Sequence, residues 1–153
     1  MKKKLSLILM IIMMLTIFYF SSQDSSVSHS LSIPVSLELT KILNNLGFHI
    51  IINDYVMRKI AHVTLYSFLG MISLLTFHYI TPIEKRCGRY SFLLCFIFSS
   101  LDEIHQLFSL GRGATYTDVI LDSIAAMIGI LIIKLFIHIH QSYLARKTIE
   151  NNQ

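Results

Sequence analysis

The sequence predicts an all-α, polytopic membrane protein: four transmembrane helices, both termini cytoplasmic, and an interfacial helix in the first outer loop. Three observations predict it. Hydrophobic residues make up 54% and charged residues only 14% of the 153, with a mean hydropathy of +0.62, whereas soluble domains carry about 25% charged residues. Four apolar stretches approach the roughly 20 residues that a helix needs to cross a bilayer. The basic residues collect at the ends of those stretches, where Lys and Arg mark the cytoplasmic side. This placement also argues against reading the net charge of +4 as a nucleic-acid footprint. The hydrophobicity excludes disorder, which needs low hydrophobicity and high charge. One domain over 1–153 is expected.

The first span is expected at about 5–22. Lys2, Lys3 and Lys4 before an apolar core also fit a signal peptide, but Phe20-Ser21-Ser22-Gln23 offers no small-x-small cleavage site. An uncleaved helix with its amino terminus inside is therefore expected. The outer loop, 23–57, opens with the Ser-rich patch 21–30 as a polar exit. Leu39, Ile42, Leu43 and Leu46 then recur at helical spacing after Pro34, so a short helix lying on the outer leaflet is expected there. The second span is expected at 60–80. Lys85, Arg86 and Arg89 follow it in a cytoplasmic loop with Cys87. The third span is expected at 90–110 and the fourth at 118–139, joined by a short outer loop, 111–117. Arg146 and Lys147 hold the carboxyl terminus inside. Cys87 and Cys95 suggest neither a disulfide scaffold nor a zinc motif.

This topology sorts the polar residues. Of nine acidic residues, only Glu84 and Glu150 fall on the cytoplasmic side. Asp24, Glu38, Asp54, Asp102, Glu103, Asp118 and Asp122 fall on the other, and so do Arg58, Lys59, His62 and Arg112. A charge at the bilayer centre costs about 2.5–3.5 kcal/mol on insertion scales, so such residues face a bundle interior or a wet cavity and pair there. Arg58, His62, Tyr66 and Gly70 form an i+4 stripe; Asp102 and Gln106, and Asp118 and Asp122, form two more. Ala125 and Gly129 permit close helix approach. The stripes are expected to line one outward-opening cleft, with Arg58, His62, Tyr66, Asp102, Glu103, Gln106, Arg112, Asp118 and Asp122 as ligand-binding residues.

Each group has two readings. Arg58, Lys59 and Arg112 either bind an anionic headgroup or pair with the acids across the cleft. Glu103, His105, Asp122 and His62 are the candidates for acid/base work, against structural pairing. No His-Glu-x-x-His motif, nucleophile elbow or phosphate loop is present, and neither a metal nor a cofactor is expected. Asp118 and Asp122 either share a proton or recruit a cation, or fix the helices through an Arg58–Asp122 or Arg112–Asp118 ion pair. His29, His49, His78, His138 and His140 stand isolated in the sequence; the last two are expected as interface anchors with Lys134.

Phe20-Ser21-Ser22-Gln23, the segment from Arg58 to His62 with Tyr66 and Gly70, and the block Asp102, Glu103, His105, Gln106, Gly111, Arg112, Asp118, Asp122 and Gly129 together resemble the VanZ-like family of bacterial membrane proteins. Leu110 stands where many members have proline, and Asp122 where some have asparagine. The resemblance covers nearly the whole chain. It implies a multi-pass protein of the bacterial cytoplasmic membrane with a link to teicoplanin tolerance. The expected function is binding or modifying a surface amphiphile or lipid-linked envelope component. The alternatives are a membrane enzyme acting on an anionic lipid headgroup and a structural subunit of a membrane complex. The expected partners are the lipid bilayer and an anionic lipid or lipid-linked component, with no nucleic acid.

Overall fold

The computed structural model describes residues 2–81 and 84–150. Among them the chain forms five helices and no strand: α1 (Lys2–Ser21), α2 (Ser25–Asn45), α3 (Asp54–Ile80), α4 (Glu84–Gln106) and α5 (Tyr116–Glu150). Three of these, α1, α3 and the 116–148 part of α5, are long and apolar enough to cross a membrane. The surface is apolar and the interior partly polar, the reverse of a soluble domain. Leu15 on α1 is 62% exposed, while Asp102 and Asp122 are 1% and 0% exposed. That distribution suits a lipid surround, which solvates apolar side chains and leaves polar ones to find partners inside. Hydroxyls on the helices bond back to the preceding turn, as Thr16 does to the Ile12 carbonyl at 2.9 Å and Ser91 to Cys87 at 2.8 Å.

The packing is organised around α3 and α5, which lie alongside one another, with α1 on α3 and α4 on both. Lys59 meets Asp118, Ser67 Oγ donates to the Ala125 carbonyl at 3.1 Å, and Leu74 packs with Ile130. Position therefore rises together along the two helices, so α3 and α5 run parallel. Pairings between α3 and α4 run the other way: Ser73 contacts Cys95 at 3.6 Å, and Cys87 Sγ donates to the Phe77 carbonyl at 3.5 Å. The core consists of Met10, Ile17, Tyr66, Leu69, Cys95, Ala125 and Ala126. Neither cysteine forms a disulfide.

Three expectations are corrected. The outer-loop helix is much longer than the 39–46 pattern and carries Pro34 inside it. Tertiary contacts at its amino-terminal half override the weak local propensity: the Ser25 amide donates to the Leu110 carbonyl at 3.0 Å, and Ser32 and His29 bond Asp54. The basic residues Lys85, Arg86 and Arg89 start α4 and do not form a loop. The carboxyl end of α4 lies at Gln106, four residues short of the expected 110. Tight turns follow, and Gly111 at φ +73°, a backbone conformation that suits glycine, brings the segment 107–115 back over the tips of α1 and α2. Leu110 N donates to Asp24 Oδ1 at 3.1 Å there. The entry to α3 is capped by Asn53, whose side-chain oxygen accepts from Val56 N at 2.9 Å.

Candidate functional site

The amino-terminal ends of α3 and α5 and the carboxyl-terminal ends of α1 and α4 meet at one end of the bundle. Beside them, α1, α2, α3 and the 107–117 segment enclose an open cavity of about 670 Å³. Its polar wall includes Arg58, Lys59, His62, Gln106, Arg112 and Asp118, and Tyr66 reaches it from below. Its apolar wall includes Ile17, Phe20, Leu31, Val35, Ile60 and Leu65.

Six of the nine expected cleft residues thus line this cavity. The other three, Asp102, Glu103 and Asp122, are buried beneath it. Asp122 Oδ2 accepts from Ser99 Oγ at 3.1 Å and lies 3.5 Å from His62 Nδ1. Asp102 Oδ2 accepts from Gln106 Nε2 at 3.4 Å, and the same amide donates to Ser21 Oγ at 2.7 Å. Glu103 Oε2 accepts from Thr115 N at 2.8 Å, which ties the returning segment to α4. His105, a candidate acid, is elsewhere: its ring stacks on Phe18 at 4.0 Å, between α4 and α1. Among the described residues, no three His, Cys, Asp or Glu side chains converge as a metal site.

The charge pairs differ from both expected ones. Arg58 bonds Asp54 at 3.1 Å, one turn earlier on its own helix, and Lys59 bonds Asp118 across to α5. Consecutive residues on a helix point about 100° apart, so Lys59 faces α5 while Arg58 faces α2. Asp54 also accepts from Ser32 and pairs with His29 Nδ1 at 2.7 Å, so His29 is not isolated. Among the described residues Arg112 forms no ion pair with a carboxylate. Its guanidinium donates to the Ser21 carbonyl at 3.3 Å, and its Nε is buried without a partner among the described residues. Burial, and then the like charge of neighbouring Arg58, pull the Arg112 pKa below its ordinary value. Ser99, Thr115 and Asp54 belong to the site and were not singled out as such. For Asp54 the signal was its i, i+4 relation to Arg58; Ser99 lies one turn before Glu103 and gives no such sign.

No curated protein and no solved structure matches the chain. The sequence profile of one family, VanZ/LLP1, matches residues 6–138, a range that holds every residue of the cavity and its floor. With three helices apolar enough to span a bilayer, this is a membrane protein, and it belongs to the VanZ/LLP1 family.

Proposed function

We propose that the chain is a single-domain, four-span protein of the bacterial cytoplasmic membrane that binds an anionic amphiphile, a lipid or a lipid-linked envelope component, in its outward-facing cavity. The observation that carries this reading is Arg112: a partly buried guanidinium on the cavity wall with no carboxylate partner among the described residues, beside a second guanidinium. Two neighbouring cations in a poorly solvated site favour an anion between them, and phosphate accepts from guanidinium in bidentate fashion. The wall formed by Ile17, Leu31, Val35 and Leu65 offers a hydrocarbon tail a path from that headgroup to the lipid. Gln106 and Asp118 orient the remaining headgroup atoms. Asp102, Glu103 and Asp122 act from beneath, holding Gln106, the 107–115 segment and His62 in place. Retention of such a component at the outer surface is the route by which the protein would contribute to teicoplanin tolerance.

A second reading, acid/base chemistry on the bound headgroup, is favoured by one observation. His62 lines the cavity and lies against the fully buried Asp122, and a carboxylate so placed orients an imidazole for proton transfer.

Lipid retention measured by native mass spectrometry on the detergent-purified chain tests both readings, with phosphatidylglycerol and polyprenyl phosphate as ligands and phosphatidylcholine as the control. A charge-assisted contact is worth about 1.5–3 kcal/mol, so Arg112→Gln should weaken retention of the anionic lipids by about 10–100-fold and leave phosphatidylcholine unchanged. Equal retention of anionic lipid by Arg112→Gln and the parent would overturn the binding reading. A lipid product formed by the parent and absent with His62→Gln, at undiminished retention, would establish the enzymatic one.

A further inference from the structure

Below the cavity floor lies a group of oxygen atoms that the anionic-ligand reading does not use. Tyr66 Oη, Asp102 Oδ1 and Asp122 Oδ1 are buried and have no hydrogen-bond partner among the described residues. Their residues are 0%, 1% and 0% exposed. They come from three helices, α3, α4 and α5. Tyr66 Oη lies beside Ser99 and Asp102, without full hydrogen-bond geometry to any described residue. Ser99 bonds Asp122 and lies one turn before Asp102 on α4, so these residues share one level of the bundle. A buried polar atom left unpaired is costly, and more so when charged, so three together call for a common partner.

Charge indicates what that partner is. Arg58 is taken up by Asp54 and Lys59 by Asp118, while Arg112 bonds the Ser21 backbone. That leaves His62, 3.5 Å from Asp122, as the nearest positive group for two buried carboxylates. Apolar residues pack alongside: Leu69, Cys95, Ala125 and Ala126 belong to the same cluster as Tyr66. Buried carboxylates persist there only when paired or neutralised. Calcium takes 6–8 oxygen ligands and magnesium keeps several waters, whereas this level of the bundle is closed to solvent and no three His, Cys, Asp or Glu side chains converge among the described residues. A hard monovalent cation matches two carboxylate oxygens and two hydroxyls.

We infer that Tyr66, Ser99, Asp102 and Asp122 form a binding site for a monovalent metal cation, of sodium or potassium size, beneath the floor of the cleft. His62, which lines the cavity and touches Asp122, marks the side from which the ion enters. The site ties α3, α4 and α5 together at the level where the cavity begins. It stands independently of what the cavity binds.

Thermal unfolding of the detergent-purified full chain tests it, in sodium chloride, potassium chloride and choline chloride at equal ionic strength and pH. A ligand bound only to the native state raises the midpoint in proportion to ln(1 + [L]/Kd). One of the two metal ions should raise it by about 3–5 °C over choline at roughly ten times the half-saturating concentration. Tyr66→Phe removes one ligand oxygen with little change of shape and should raise the half-saturating concentration by about tenfold or more. Asp102→Asn should abolish the difference between the salts. Identical midpoints in the three salts for the parent chain would overturn the inference. So would a metal-specific shift that both variants retain, or a stabilisation that follows pH alone and places protons on the two acids. Lipid retention is read separately, so loss of the salt response with Arg112-dependent retention intact would refute this site and leave the cavity reading standing.

Discussion

Lys59 and Asp118 show how a charge is carried at the cavity end of the bundle. Their side chains are only 24% and 20% exposed, too buried for water to screen the pair fully and too exposed for the full desolvation cost of a core ion pair. Lys59→Met leaves Asp118 without its cation, and we expect a loss of about 1–3 kcal/mol of stability, less than the roughly 3–5 kcal/mol of a fully buried pair. Adding Asp118→Asn to Lys59→Met should restore at least about 1 kcal/mol, because the double change removes the stranded charge. Unfolding of the parent, both single variants and the double variant in detergent measures this. A double variant no more stable than Lys59→Met would refute the coupling. At this scale the sequence located the groups but not their partners. The depth of Arg58, Lys59, Asp118 and Asp122 followed from counting along apolar runs. Which cation meets which acid depends on a rotation of about 100° between neighbouring helix positions and on α2, whose Ser32 and His29 claim Asp54 and so occupy Arg58. Three acids expected on the cavity wall lie one layer deeper for the same reason: depth along a helix axis is legible from sequence, and distance from that axis to a neighbour is not.

The seam between α3 and α5 is closed by glycines. A Cβ on Gly70 would fall on the Ala126 carbonyl oxygen, and one on Gly129 on that of Ser67. In both cases the obstacle is backbone, which cannot swing aside. Alanine is favoured over glycine in a helix interior by about 1 kcal/mol, yet here the helices must separate to admit it. Gly70→Ala and Gly129→Ala should therefore each destabilise the fold by about 1–3 kcal/mol net. Gly88→Ala, whose new methyl meets only the far end of the Lys134 side chain, should cost less. Thermal midpoints of the three variants check this, and a Gly70→Ala chain as stable as the parent would rule out so close a seam. The seam was legible: Ala125 and Gly129 stood on the same stripe as Asp118 and Asp122, and Gly70 continued the stripe from Arg58. The extent of α2 was not. Its serines and Pro34 read as an exit and a break, and only contacts with Asp54 and Leu110, far away in sequence, hold them in a helix. The carboxyl end of α4 was misplaced because Leu107, Phe108 and Leu110 prolong the apolar run past the point where the backbone turns to meet Asp24.

For the molecule as a whole, the parallel course of α3 and α5 constrains how the chain crosses a membrane. Both begin at the end that carries Asp54, Lys59, Asp118 and Asp122. If both span, the segment between them must return across the bilayer, and among the described residues α4 is the one helix in it. Its 23 residues rise about 34 Å, enough for a hydrocarbon core of about 30 Å. Charge at its two ends lowers its average apolarity, so composition alone does not mark it as a span, whereas its place between two parallel helices requires the crossing. On the proposed four-span course both termini lie on one side, and the positive-inside tendency of Lys2, Lys3, Lys4, Arg146 and Lys147 would make that side the cytoplasm. With Cys87→Ala and Cys95→Ala as the background, Gly113→Cys should react with a membrane-impermeant maleimide on intact cells, since nothing lies within 4 Å of a Cβ placed there. Tyr143→Cys, on the projecting end of α5, should react only after permeabilisation. Three spans, with α4 lying on the surface, would reverse both results, because each crossing removed moves everything after it to the other side. Labelling of Tyr143→Cys from outside would therefore displace the outward-facing cavity along with the fourth span.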